Sequence, residues 1–283
     1  MKSLWMLVST LSFALMAACV KLISSQYNVA EILFYRFFIS ALIAVLLARS
    51  QHHSLLTPHW KEHGRRACFG TTAMAAWYYT LSVLPLATSS TLNYTSPIFV
   101  GVLTAFAAKR AGAHTVGKLA YLALGFGFMG VLILLRPTAD VDQTSDILIG
   151  LAGAFVAALS FRDVRRLAHL GEPEARMVLY FCLFGGIFSA VPMLLQPIHS
   201  HTTEGFAALI CIGLLGSIGQ FAVSRAFGQG NVLLSAALQY TGVIFATLIG
   251  MFAWGEVLPS EKMLGIATIV CAGVLSAWAV KRS

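Results

Sequence analysis

Asn93-Tyr94-Thr95-Ser96-Pro97-Ile98-Phe99 returns 146 residues later as Gln239-Tyr240-Thr241-Gly242-Val243-Ile244-Phe245. Both copies lie inside long apolar runs, 88–108 and 231–254. A helix needs roughly 20 such residues to cross a hydrocarbon core about 30 Å thick. The same test selects eight more segments: 3–24, 30–48, 67–84, 116–135, 147–165, 176–195, 205–226 and 262–280. The runs are long and continuously apolar, whereas barrel strands would alternate over about ten residues, so helices are expected. The predicted fold is an all-α integral membrane protein of ten transmembrane helices.

Composition supports this. Of 283 residues, 58% are hydrophobic and 11% charged, with a mean hydropathy of +0.80. A water-facing surface needs about 25% charged residues. The net charge of +8 does not mark a nucleic-acid partner, because its positions track topology. With the N-terminus in the cytoplasm, the inner side holds Lys2, Arg49, Lys61, Arg65, Arg66, Lys109, Arg110, Lys118, Arg162, Arg165, Arg166, Arg176, Arg225, Lys281 and Arg282. The outer side holds Arg136 and Lys262, together with Asp140, Asp142, Asp146, Glu204, Glu256 and Glu261. This positive-inside bias puts both termini in the cytoplasm of a cell membrane, a bacterial inner membrane being the expected one. Cys19, Cys68, Cys182, Cys211 and Cys271 fall in five different spans with no CxxC pair, so no disulfide, metal or other cofactor is assigned. Lys2 and the Met16-Ala17-Ala18-Cys19 run imitate a lipoprotein signal, but nine further spans and the repeat require this helix to be retained.

The repeat extends beyond its core. Gly130-Val131-Leu132 corresponds to Gly273-Val274-Leu275, and Ile32-Leu33-Phe34-Tyr35 to Met177-Val178-Leu179-Tyr180. Residues 1–137 and 146–283 thus form two copies of five spans, and an odd number of spans inverts the second copy. Inverted repeats suit secondary transport, where a site between two similar halves opens to each side in turn. Ten spans in two halves, Glu31-Ile32-Leu33-Phe34-Tyr35-Arg36 and Pro259-Ser260-Glu261-Lys262-Met263-Leu264-Gly265 resemble the drug/metabolite transporter superfamily, EamA type. The resemblance covers about 3–280. It implies an ATP-independent carrier of amino acids, metabolites, nucleotides or drugs. It also implies a cavity walled by segments 1, 3, 4, 6, 8 and 9, with 5 and 10 as peripheral braces. Arg162-Asp163 departs from many relatives, which carry apolar or small residues there.

Ionisable groups at membrane depth are functional candidates because burying them is costly. They are Glu31, Arg36, Arg162 and Asp163, with Lys21 near an interface. Glu31 lies about 140° round the helix from Arg36, a poor same-helix partner. Arg36 therefore reaches a neighbouring helix, in a conformational role or in contact with cargo. Asp163 reads as a proton-coupling carboxylate or as one side of a salt bridge at the cytoplasmic mouth. Candidates for the cavity wall are Asn93, Tyr94, Gln239 and Tyr240, whose buried polar atoms need partners. Trp77 and Tyr78 of the Trp77-Tyr78-Tyr79 run, and Gln220 on a flank shared with Ser224 and Arg225, complete the set.

Other patterns dissolve on context. Gly125-Phe126-Gly127-Phe128-Met129-Gly130 matches GxGxxG but lies in an apolar helix with no preceding strand, so helix packing explains it, as it does Gly213, Gly216 and Gly219. His52, His53, His59 and His63 read as a solvated basic loop. The expected partners are a small organic solute, the lipid bilayer and a proton as coupling ion; a homodimer is compatible with the sequence. The competing classes are a membrane scaffold without transport and an intramembrane enzyme. Against the enzyme, the spans lack HExxH, GxSxG and paired aspartates, and no Walker A motif supplies ATP drive.

Overall fold

The computed structural model describes residues 2–84, 86–110, 118–135, 143–196, 199–200, 202–255 and 260–282. A 3-10 turn at Lys2–Leu4 leads into α1 (Trp5–Ile23), α2 (Val29–Ser50), α3 (Trp60–Val83), α4 (Leu86–Asn93), α5 (Ser96–Arg110) and α6 (Lys118–Leu135). Then follow α7 (Thr144–His169), α8 (Glu174–Leu194), α9 (Thr203–Gln229), α10 (Val232–Gln239), α11 (Thr241–Trp254) and α12 (Ser260–Arg282). No strand occurs among the described residues. Arg136, Asp140, Asp142 and Glu256 of the predicted outer side lie outside them.

Among the described residues, eight stretches are long and apolar enough to cross a membrane. The predicted third and tenth spans are helical but do not meet that test. α3 starts at Trp60, so its first two turns carry Lys61, Glu62, His63, Arg65 and Arg66, and the apolar part of α12 is the shorter Met263–Ala279. Large apolar side chains stand exposed around the bundle, among them Phe38, Leu46, Phe106, Leu122, Ile187 and Phe252. So much apolar surface suits hydrocarbon and not water. The chain is an all-α, multi-pass membrane protein.

The four most extensive helix pairs are α6 with α12, α2 with α8, α3 with α7 and α1 with α9, and each joins an element before residue 136 to one after 143. The pairing is also reciprocal: α1 lies on α9 and α11, as α7 lies on α3, α4 and α5. In the α6–α12 pair backbone meets backbone. A Cβ on Gly130 would lie 2.8 Å from the Gly265 carbonyl oxygen, and one on Gly265 would lie 2.8 Å from that of Gly130. Only glycine permits such an approach. Gly125 meets nothing within 4 Å, so the packing reading of the GxGxxG pattern applies to its later glycines alone.

The α2 N-terminus is a capping box. The Asn28 side chain accepts from the Glu31 N–H, and Glu31 accepts from the Asn28 N–H. At the end that the charge bias assigns to the cytoplasm, ion pairs join α3, α7, α8 and α9: Arg65–Asp163, Glu62–Arg166, Glu172–Arg176 and Glu174–Arg225. His63 corrects the solvated-loop expectation. It is fully buried on α3, stacked on Tyr180 with ring centroids 4.6 Å apart, and its Nε2 lies 3.1 Å from Glu172 Oε2.

Candidate functional site

The fourth and ninth predicted spans are each broken in two, and the breaks fall on the repeated Tyr-Thr. At the first, the Thr95 N–H and hydroxyl both donate to the Leu92 carbonyl, at 3.1 and 2.6 Å, and Ile98 N–H donates to Thr95 O at 3.0 Å. At the second, Tyr240 N–H donates to Ala237 O at 3.3 Å, the Thr241 hydroxyl to Leu238 O at 2.7 Å, and Val243 N–H to Tyr240 O at 3.1 Å. Each break is therefore a helix tightened to i→i−3 bonds, held by a threonine hydroxyl on the carbonyl three residues back. Pro97 adds to the first, because it has no N–H for the Asn93 carbonyl.

The two breaks meet on α1. The Thr10 and Thr241 hydroxyl oxygens are 3.0 Å apart. The Tyr94 hydroxyl lies 2.7 Å from where a Cβ on Gly242 would stand, and that position is 3.4 Å from Thr10 Cβ. Thr10 and Thr241 thus form a polar node joining α1 to the second broken helix, and the Tyr94 hydroxyl of the first broken helix reaches the Gly242 backbone beside it. One turn further along α1, Phe13 stacks its ring beneath the Arg36 guanidinium, 5.8 Å from the ring centroid.

Arg36 is 5% exposed. Its Nη1 donates to Met74 Sδ at 3.1 Å, and its guanidinium lies 5.3 Å from the Phe37 ring centroid. It crosses to α9 where Gly216 has no side chain, a Cβ there falling 3.0 Å from Arg36 Nε. Next to Tyr78, Trp77 lines a narrow cleft with Ala73, Thr80, Asn93, Gly150, Gly153 and Ala154. The indole N–H of Trp77 and the Oε1 of Gln239 are buried without hydrogen-bond partners among the described residues. Such groups in a native structure call for a ligand or water. Gln220 is buried on α9 beside Gly219, against which Phe13 packs.

Several expected site residues lie elsewhere. Tyr240 points away from the node into the α6–α12 interface, fully buried against Gly127, Ala272 and Phe128. A one-residue step separates it from Gln239, about 100° of helix rotation, which places the two on different faces. Glu31 is fully buried and accepts from the His199 N–H and ring Nδ1, both at 2.8 Å, which ties α2 to the segment before α9. Asp163 takes Arg65 in a bidentate pair at 2.7 and 2.9 Å, with Arg162 further off at 3.4 Å. Tyr79 faces outward and donates to Asp146 at 2.8 Å. Thr10, Phe13 and Met74 were not foreseen. Ser9-Thr10, a polar pair inside an apolar span, was the available signal for the first.

A broken-helix core inside a bundle with apolar outer faces is an arrangement found in multi-pass transport proteins. The EamA-like transporter family model matches residues 1–136 and again 144–278, and the chain belongs to that family. It is 24% identical over 279 residues to an uncharacterized transporter of Helicobacter pylori, covering 96% of this chain and 92% of the relative. It is 26% identical to the pseudopaline exporter CntI of Pseudomonas aeruginosa (94% and 92% covered). Identity to the riboflavin transporter of Vibrio cholerae is 24% (99% and 94% covered). A solved crystal structure shares the fold with a TM-score of 0.84 at 20% identity, covering 99% of this chain and 98% of that one.

Proposed function

We propose that this chain is a secondary, ATP-independent transporter of a small organic solute in a bacterial inner membrane, working by alternating access between two inverted halves, 1–137 and 146–283, with both termini cytoplasmic. The observation that carries the reading is the meeting of two repeat-related helix breaks, Tyr94 of the first reaching Gly242 of the second, next to the Thr10–Thr241 contact with α1. Discontinuous helices at a repeat interface are where transporters place their solute. The reciprocal helix pairing supports the two-half reading, since halves that exchange conformations need matched interfaces. The relatives' names cover both export, as for pseudopaline, and uptake, as for the S-adenosylmethionine uptake transporter of Rickettsia bellii (21% identical, 99% and 94% covered), so solute transport is what they share.

In this reading Trp77 and Gln239 offer unmet hydrogen-bonding groups to the solute, Asn93 lines the cleft beside Trp77, and Tyr94 holds the breaks in register. Purified protein in liposomes is expected to carry an organic solute, tested first with riboflavin and S-adenosylmethionine within a wider panel. The rate is expected to respond to an imposed pH or potential gradient. Asn93→Ala and Gln239→Ala should each lower flux about tenfold, the worth of one hydrogen bond of about 1.4 kcal/mol, with insertion unchanged. Normal flux in both variants defeats the site assignment. Absence of flux and of saturable binding across the panel defeats the transport reading.

A further inference from the structure

The inward-facing wall of α2, α3 and α8 carries cations that the ion-pair network leaves uncovered. Arg36 has no carboxylate partner among the described residues; its contacts are a thioether and two aromatic rings. Arg66 on α3 is 3% exposed and lies over the Phe181 ring at 3.8 Å, with Nε and Nη1 buried and unpartnered among the described residues. The two are linked through their rings, since Phe37 and Phe181 meet edge to face at 5.5 Å. Asp163 is buried on α7, and its oxygens are taken by Arg65 and Arg162. The other buried carboxylates, Glu31 and Glu172, are engaged with His199 and with Arg176 and His63.

A buried guanidinium is retained at such a cost where something anionic pays it a visit or where it is structural. The geometry favours the first. A structural arginine at membrane depth would be expected to end on carbonyls or a carboxylate, whereas Arg36 ends on soft, weakly accepting groups beside the polar node. Its planar fork suits two oxygens of one oxyanion. We infer that Arg36 is the recognition point for an oxyanion, a carboxylate or a phosphate, carried by the transported solute, and that Arg66 is a second cation further along the same wall. The inference rests on the transport reading for the identity of the anion's bearer and not for the site itself.

The test is ligand-dependent thermal stabilisation of the full-length protein in neutral detergent. The probes are succinate against its dimethyl ester, and glycerol phosphate against glycerol. One charged member is expected to raise the melting temperature saturably while its neutral counterpart does not, and which acid does so separates carboxylate from phosphate. Arg36→Gln should weaken that binding at least about tenfold, and Arg36→Lys should recover part of it through charge without the fork. If R36Q does not fold, R36K and the acid-against-neutral comparison on the natural protein decide. Equal stabilisation by acids and neutral counterparts, unchanged binding in R36Q, or no stabilisation by any charged probe overturns the inference. Liposome flux separates the two readings. Flux of neutral solutes alone removes the anion site and leaves transport standing, while acid binding without flux of any solute removes transport and leaves the site.

Discussion

Glu172 occupies the turn between α7 and α8, where it gathers contacts from three directions. The Thr57 hydroxyl donates to it, Arg176 Nη1 lies 3.0 Å away, and the His63 ring lies 3.1 Å away, although poorly aligned for a hydrogen bond. Burial alone would raise its pKa, but the bonds and charges of these groups hold the carboxyl below its ordinary value. A depressed carboxylate contributes stability that is complete above its unfolded pKa, about 4.3, and is lost as the pH falls through the lower folded value. Melting temperatures measured from about pH 7 down to about pH 4 should therefore fall less steeply for Glu172→Gln than for the natural protein. Identical acid limbs would show that the cluster adds nothing. None of this was legible in the sequence, where the histidines read as a solvated loop. The residues that bury His63 are Tyr180 and Glu172, more than a hundred positions downstream, and no local pattern announces them. The intramembrane charges were legible as exceptions, and their partners were not. Arg65 taking Asp163 and His199 taking Glu31 are facts of packing.

Among the elements, α6 and α12 show how a glycine pattern divides between packing and chance. Gly130→Leu would force a side chain into the Gly265 backbone and should cost about 1–3 kcal/mol, read as a lower melting temperature. Gly125→Leu, facing open space, should stay within about 0.5 kcal/mol. Equal losses at both positions would mean that the helix tolerates neither for reasons unrelated to the contact. The apolar runs announced most of the helices, because crossing hydrocarbon leaves few alternatives for a backbone. They did not announce the breaks. Hydropathy is blind to a threonine hydroxyl reaching back to a carbonyl, and both Thr95 and Thr241 lie within otherwise continuous runs. Nor could they fix helix rotation: Gln239 and Tyr240 looked equivalent to Asn93 and Tyr94, yet Tyr240 faces α6 and α12.

Across the whole molecule, the sequence offers two similar stretches at one spacing, which appear without any structure. What the spacing could not show is how thoroughly the halves depend on each other. The four largest helix interfaces all run between the first and second parts of the chain. Residues 1–137 and 146–283 made as separate polypeptides in one cell should therefore assemble and co-purify, while either alone should be degraded. Stable accumulation of a lone half would contradict the shared interfaces. The same arrangement bears on how the protein is made. Arg36 is accommodated by Gly216 on α9, and Arg66 by Phe181 on α8, so both of their companions are synthesised late. A ribosome delivering this chain makes both guanidiniums before the helices that receive them from the second part of the chain exist. The nascent first half needs shelter during that interval, from the insertion machinery or from anionic headgroups, and the rate of elongation through α7 to α9 sets how long the shelter must last.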